Sequence, residues 1–158
     1  MTTYWTTMDS PIDELMLVAD DDGLTHVAFT PFVPPSGERA DQHPVLAAAR
    51  HQLGEFFAGE RRDFDLPLAA SGTQFRRLVW DQLRTIPYGT TTTYGAIART
   101  LGLTGHGARA VGVANGANPI AVVVPCHRVV GSDGGLTGYT GGLDRKRTLL
   151  ALENSALC

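Results

Sequence analysis

The stretch TTTYGAIARTLGLTGHGARAVGVANG, Thr91–Gly116, decides how the carboxy-terminal half of the chain is read. One short helix falls within 91–103, a glycine-rich turn spans Thr104–Gly107, and ARAVGVANG (Ala108–Gly116) supplies a second helix. Two short helices joined by a glycine-containing turn form a helix-turn-helix pattern. Such a pair either packs inward or lays its second helix on DNA. Arg109 stands at the start of the second helix, beside Ala108, Ala110, Gly112, Ala114 and Gly116. Small side chains let a helix approach a narrow surface, and an Arg at its amino-terminal end can reach a phosphate or enter a base stack. The same small residues also suit tight packing inside the protein, and the pattern alone leaves both readings open.

Upstream, LPLAASGT (66–73) reads as a linker. Thr73 is placed to cap a helix whose apolar residues Phe75, Leu78, Val79, Leu83 and Ile86 recur every three or four positions, and which Pro87, Tyr88 and Gly89 end. Earlier still the signals turn to strand. LMLVA (15–19) and LTHVAF (24–29) flank Asp20-Asp21-Asp22-Gly23 as a hairpin. An exposed connection from Thr30 to Pro44 follows. Then VLAAARHQLGEFFAG (45–59) puts Val45, Ala49, Leu53, Phe56 and Phe57 on one helical face, with Gly59 as a stop. At 158 residues the chain suits one domain or two small ones sharing a core, and the linker divides it as 1–72 and 73–158 in an α+β class.

The balance of 43% hydrophobic and 18% charged residues is that of an ordered globular protein. No apolar run is long enough to cross a membrane, and the amino terminus lacks a basic start followed by an apolar stretch, so a cytosolic protein is expected. The net charge of -3 conceals a division: residues 1–72 sum to -8 and residues 73–158 to +5. Twelve of the 13 basic residues are Arg, which suits phosphates and can stack on bases, so the second half is where an anionic partner is expected. Five scattered histidines and the absence of paired metal-ligand spacings predict no metal site and no cofactor. Two cysteines, Cys126 and Cys158, are expected as free thiols, with Cys158 inert at the chain end.

Ile120–Val124 (IAVVV) is a β-branched run expected as a buried strand that ends or bulges at Pro125. Cys126, His127 and Arg128 follow at once. A thiol beside a base and a cation suits a nucleophile, although a Cys-His pair can equally be a small buried hydrophobe next to an unrelated histidine. Side chains on a regular strand alternate, so these two would communicate across a turn or through a water. The glycine-rich segment 131–144, with Tyr139 and Thr140, has the composition of a loop that wraps a flat ligand. A helix from Leu143 then carries Arg145, Lys146, Arg147 and Glu153; a carboxylate there either folds back on His127 or lies solvated on the surface.

VPCHRVV (124–130) resembles the active-site signature of the O6-alkylguanine-DNA alkyltransferases, and IPYGTTTTYGAIA (86–98), ARAVGVANGANPIAVVVPCHRVV (108–130) and GGLTGYTGGLDRKRTLLALE (134–153) resemble further family blocks in the right order. The resemblance implies a small ribonuclease-H-like amino-terminal domain with a hairpin sheet and a mainly helical, winged-helix-like domain holding the helix-turn-helix. It implies that Cys126 accepts an alkyl group, that His127 deprotonates it through a water, and that Glu153 orients His127. Asn118 would brace the turn after the DNA-reading helix. Tyr94 would help extrude the nucleotide and protonate the departing guanine, while Tyr139, Thr140, Gly141 and Val129 would hold the base. Arg109 would enter the duplex, with Ala108, Ala110, Gly112, Val113 and Gly116 in the minor groove and Arg128 and Thr93 as further DNA contacts. His106 and the extra residue near Gly105 depart from the usual turn. The implied activity is single-turnover repair of O6-methylguanine, and of O4-methylthymine, in double-stranded DNA by a monomer without cofactor. A lesion-binding relative that lacks the acceptor thiol and a cysteine hydrolase are the alternatives. The chemistry asks for a Cys126 sulfur that is ionised and reachable.

Overall fold

The computed structural model describes residues 2–136 and 138–156; Cys158 lies outside the described residues. The chain divides into two compact units, one made of residues up to Ser71 together with Pro119–Val123, the other of Gly72–Asn118 together with residues from Val124 onward. No helix among the described residues is long and apolar enough to cross a membrane.

The first unit is a four-stranded sheet, β1 (Tyr4–Met8), β2 (Leu15–Ala19), β3 (Leu24–Phe29) and β4 (Glu38–Arg39), in the order β3-β2-β1-β4. The β2–β3 hairpin falls where the sequence puts it, and its turn is closed by Asp20, whose side chain accepts from the backbone N–H of Asp22 and Gly23. All five residues of β2 are buried, because it is flanked by β1 and β3 and covered by α1 (Pro44–Phe57). That helix buries Leu46, Ala49, Leu53 and Phe56. Its inward face is rotated from the expected one, with Leu46 rather than Val45 facing the core, and it stops where expected, with Ala58 as its cap and Gly59 following at φ 76°.

The run Ile120–Val124 corrects the sequence reading. It is buried as expected, but only Ile120 bridges a strand, alongside Val27, and Ala121–Val123 turn. The backbone N–H of Val123 donates to Ala121 O at 2.8 Å, and Val122 lies at φ 69°. A β-branched residue there costs about 1–3 kcal/mol. Period-free apolar runs look alike whether strand or buried turn, so the sequence could not separate them.

In the second unit, Thr73 caps α2 (Gln74–Leu83) by accepting from Arg76 N–H. The helix buries Val79, Trp80 and Leu83, leaves Leu78 49% exposed, and stops four residues ahead of Pro87. Then come β5 (Thr92–Thr93), α3 (Tyr94–Thr100), α4 (Gly107–Gly116), a 3-10 turn at Cys126–Arg128, β6 (Val129–Val130) and α5 (Leu143–Ala156). Parallel pairing of β5 with β6 ties the start of α3 to the chain leaving the 3-10 turn. Trp80 Nε1 donates to Ala114 O at 2.9 Å, which fastens α4 to α2.

Candidate active site

Pro125 cannot donate a backbone hydrogen bond, and with its ψ near 63° the chain enters the turn Cys126–Arg128, closed by Arg128 N–H donating to Pro125 O at 3.0 Å. The turn removes the strand alternation that would have pointed Cys126 and His127 apart. All three residues are buried. Their carbonyls and side chains are held by neighbours from three directions. At the end of α4, Asn118 Nδ2 donates to Val124 O at 2.8 Å and Asn115 Nδ2 donates to Cys126 O at 3.4 Å. Lys146 of α5, with no exposed surface, donates from Nζ to Val129 O at 2.7 Å and lies 5.9 Å from the Tyr139 ring centre. Glu153, two turns further along the same face of α5, meets His127 Nε2 at 2.8 Å.

Glu153 also receives Arg128: Nε donates to Oε1 at 2.9 Å and Oε2 at 3.1 Å, and Nη2 donates to Oε2 at 2.8 Å. Arg128 Nη1 donates to Ile86 O at 2.8 Å, and Gly89 N–H lies 3.4 Å from Glu153 Oε1. Burial alone would raise the Glu153 pKa, but the hydrogen bonds and charges of His127 and Arg128 win and hold it at about 2. The carboxylate is therefore ionised and accepts from Nε2–H. Burial pushes His127 below its ordinary value, against the opposing pull of Glu153, and Arg128 and Lys146 push it the same way. Burial likewise raises the Cys126 thiol, while hydrogen bonds from Asn118 and Tyr139 and the charge of Lys146 pull it down. The sulfur expected to be ionised and open is instead 6% exposed and held as a thiol in polar surroundings.

Two family models match the chain: the ribonuclease-like domain of 6-O-methylguanine DNA methyltransferase over residues 3–70 and its DNA-binding domain over residues 74–155. A methylated-DNA–protein-cysteine methyltransferase of Mycolicibacterium paratuberculosis is 54% identical over 93% of this chain and 90% of its own. The chain belongs to the 6-O-methylguanine DNA methyltransferase family. A second relative of the same name, from Methanosarcina acetivorans, is 46% identical over 96% of this chain and 99% of its own. The crystal structure of Mycobacterium tuberculosis OGT in complex with DNA matches 97% of this chain and 94% of that one, with 47% identity and a TM-score of 0.88. As in the family's two-domain fold, a small mixed sheet and a mainly helical part make up this methyltransferase.

Within this methyltransferase the residues singled out from the sequence fall into three groups. Cys126, His127, Glu153, Asn118, Tyr139 and Val129 come together in the buried cluster, Val129 through its carbonyl. Ala108, Arg109, Ala110, Val113 and Gly116 lie exposed along one face of α4, while Gly107, Val111, Ala114 and Asn115 form its buried face. The two readings of the small residues thus divide between the two sides of one helix. Gly112 sits against Tyr94, at the start of α3, since a Cβ built there would come 3.8 Å from the Tyr94 ring. Thr93 caps α3 by accepting from Ala96 N–H, and exposed Thr140 donates to Gly116 O at 2.7 Å, with Gly141 next to it.

Arg128 departs from its expected place. Its side chain is 6% exposed and its donors are turned onto Glu153 and Ile86, so it belongs with the buried cluster and not with a DNA-facing surface. Sequence reasoning missed Lys146 and Asn115. Lys146 was read within the basic run 145–147, yet it shares a face with Leu149 and Glu153 at spacings of three and four, the helical signature of a buried stripe. Asn115 likewise follows buried Val111 by four positions.

Proposed function

We propose that this protein repairs alkylated DNA by direct reversal, taking the alkyl group of O6-alkylguanine onto Cys126 once per molecule. The observation that carries the reading is the buried turn in which Cys126 stands beside a His127 anchored to an ionised Glu153, in a chain of this family. The M. tuberculosis relative crystallised with DNA supports DNA as the partner. The exposed face of α4, narrow apart from Arg109 and Val113, is suited to the minor groove, with Arg109 filling the place of the extruded base. Extrusion costs a few kcal/mol and less for a badly paired lesion, which begins the selection.

In the chemical step the Cys126 proton passes to His127 through a water. The sulfur lone pair forms the S–C bond as the C–O6 bond breaks, and the electron pair leaves with guanine, which takes up a proton from Tyr94 with a hydrogen bond from Thr140, while the proton held by His127 returns through solvent to Tyr94. Net, the thiol hydrogen ends on guanine and the alkyl group on sulfur. Because the thiol is neutral at rest, binding of the lesion and proton transfer to His127 together generate the nucleophile. No group in the cluster cleaves a thioether, so turnover stops at one. O4-methylthymine presents the same alkyl-oxygen bond and is included. A nucleophilic thiol of this kind belongs in a reducing compartment, which supports a cytosolic protein, and a monomer suffices for the chemistry.

Mixing the protein with duplex DNA containing O6-methylguanine should add about 14 Da, one methylene, to the peptide holding Cys126, as nucleophilic transfer requires. An unmodified protein, or a gain that persists in Cys126→Ser, refutes the reading. Arg109→Ala should slow repair of duplex DNA and leave the slow reaction with free O6-alkylguanine nearly intact; equal loss of both would place Arg109 in the chemistry.

A further inference from the structure

We propose that Arg128 is a positioning residue that, through Glu153, holds His127 as a neutral imidazole with its proton on Nε2, leaving Nδ1 as the base toward Cys126. The proposal rests on the reading of Cys126 as the alkyl acceptor. It begins from a conflict of charges. A carboxylate buried against an imidazole favours the imidazolium, because a lone negative charge in a poorly solvated site pulls a proton onto its neighbour. An imidazolium has no free lone pair and could not accept the thiol proton. The geometry removes the conflict: Arg128 already bonds both oxygens of Glu153, at 2.8 to 3.1 Å, so the carboxylate is neutralised before His127 is considered. A proton added to His127 would then be a net positive charge among groups with 0%, 6% and 1% exposed side chains.

Apart from Glu153, whose carboxylate alone pulls a proton onto His127, the neighbours act in the same direction as Arg128 or are neutral. On its own turn His127 has Cys126 and Arg128; α5 supplies Glu153 and the second cation Lys146; Tyr139 lies on the sulfur from the preceding loop, and Tyr88, after α2, has its ring 5.6 Å below the Arg128 guanidinium. An ionised carboxylate oxygen can only accept, so the 2.8 Å bond to Oε2 fixes the proton on Nε2. Nδ1 is buried and has no protein hydrogen-bond partner among the described residues, as a base reserved for the reacting thiol should be. Arg128 is held rigidly enough for this work, since Nη1 is tied to Ile86 O and the guanidinium plane rests over Tyr88.

The test combines imidazole nitrogen NMR on the whole protein with the pH profile of single-turnover transfer, for wild type, Arg128→Gln and Arg128→Lys. Wild-type His127 should be neutral at pH 7 with its proton on Nε2. In Arg128→Gln the imidazole should titrate at higher pH, and transfer should fall about tenfold for each unit by which that titration exceeds the assay pH and recover in alkali. Arg128→Lys, which keeps the charge, should restore most of the neutral-pH rate, and neither variant should change affinity for unmodified duplex DNA. An imidazolium or an Nδ1–H tautomer in the wild type overturns the proposal, a result that needs no variant to fold. So does a wild-type pH profile in Arg128→Gln, or a loss of DNA affinity that accounts for the loss of rate. Absence of any Cys126 adduct in the wild type would instead remove the alkyl-transfer reading, while the NMR result would still report on Arg128.

Discussion

Both units bury an apolar core, but among the described residues only the second buries a cluster of ionisable side chains within it. Around the four-stranded sheet the fully buried residues are Leu15, Leu17, Leu24, Leu46, Leu53 and Phe56, and the buried polar exception, Thr6, donates its hydroxyl to Asp41 at 2.7 Å. Around the 3-10 turn, Asn115, His127, Arg128, Lys146 and Glu153 are all under 6% exposed. Ionisable groups in an interior carry a desolvation penalty that apolar residues of similar volume avoid. A fold that could have filled this space with leucine, as its first unit does, has filled it with two cations, a carboxylate and an imidazole. The difference identifies which core is there to hold the chain together and which is there to set protonation states.

The largest effect should come from Glu153→Ala. It leaves the Arg128 guanidinium buried without its partner and removes the acceptor for His127 Nε2. A loss of about 3–5 kcal/mol in urea denaturation is expected, together with slow transfer at pH 7 in whatever fraction remains folded. A loss well under 1 kcal/mol would mean that water readily enters, and the contrast between the cores would fail. In the apolar core, Leu53→Ala should cost about 2–5 kcal/mol by leaving a cavity under α1. Its folded fraction should transfer alkyl groups at the parental rate, measured by intact mass. A slowed transfer would show that the two cores do not have separate duties.

The sequence was legible where the signals are local. The β2–β3 hairpin, the Thr73 cap and α4 all lie where side-chain period and turn chemistry put them. It was not legible for β1, whose YWTTM lacks alternation and becomes a strand by pairing Tyr4–Met8 with Ala19–Leu15. The two residues of β4 are likewise defined by their partner. The site divides the same way. The Cys126-His127-Arg128 succession is visible at once, but Glu153 lies 26 residues from His127, and the residues alone left open whether it folds back on His127 or lies solvated. Arg128 was misplaced because charge in a basic half suggests phosphate, whereas burial, which the sequence does not display, had given it to Glu153.

A smaller effect separates the cores by pH. The Glu153 pKa is lowered from 4.5 to about 2, so its contribution to stability is complete above about pH 4.5 and is lost as the pH falls toward 2. His127 acts in the same direction from a higher pH: its folded pKa lies below 6.5, so the unfolded chain takes up the proton first and stability begins to fall below about that value. Thermal melts between pH 7 and 3 should therefore show a steady fall, insensitive to salt because the groups are buried. Glu153→Gln should flatten the acid end of that curve. Asp41, in the first unit, is also lowered, by Thr6 and Arg39, but it faces water, and salt should erase its part. A fall that added salt abolishes would assign the acid sensitivity to the surface.

The smallest expected change tests whether local helix stability in the second unit reaches the site. Thr73 is exposed, and its hydroxyl accepts from Arg76 N–H at 3.2 Å, so Thr73→Ala removes one cap bond and should cost about 1 kcal/mol. Thr73→Ser, which keeps the acceptor, should restore most of it. Between this cap and α4 stands a polar link, Trp80 Nε1 to Ala114 O. Trp80 sits in the second turn of α2, beyond the positions that a frayed first turn would release, and is itself 5% exposed. Transfer to Cys126 should therefore be unchanged in Thr73→Ala even as the melting temperature drops. Should transfer from duplex DNA slow while reaction with free O6-alkylguanine holds, the first turn of α2 would have to be steering α4 through that indole bond, and the protection assigned here to Trp80 would be wrong.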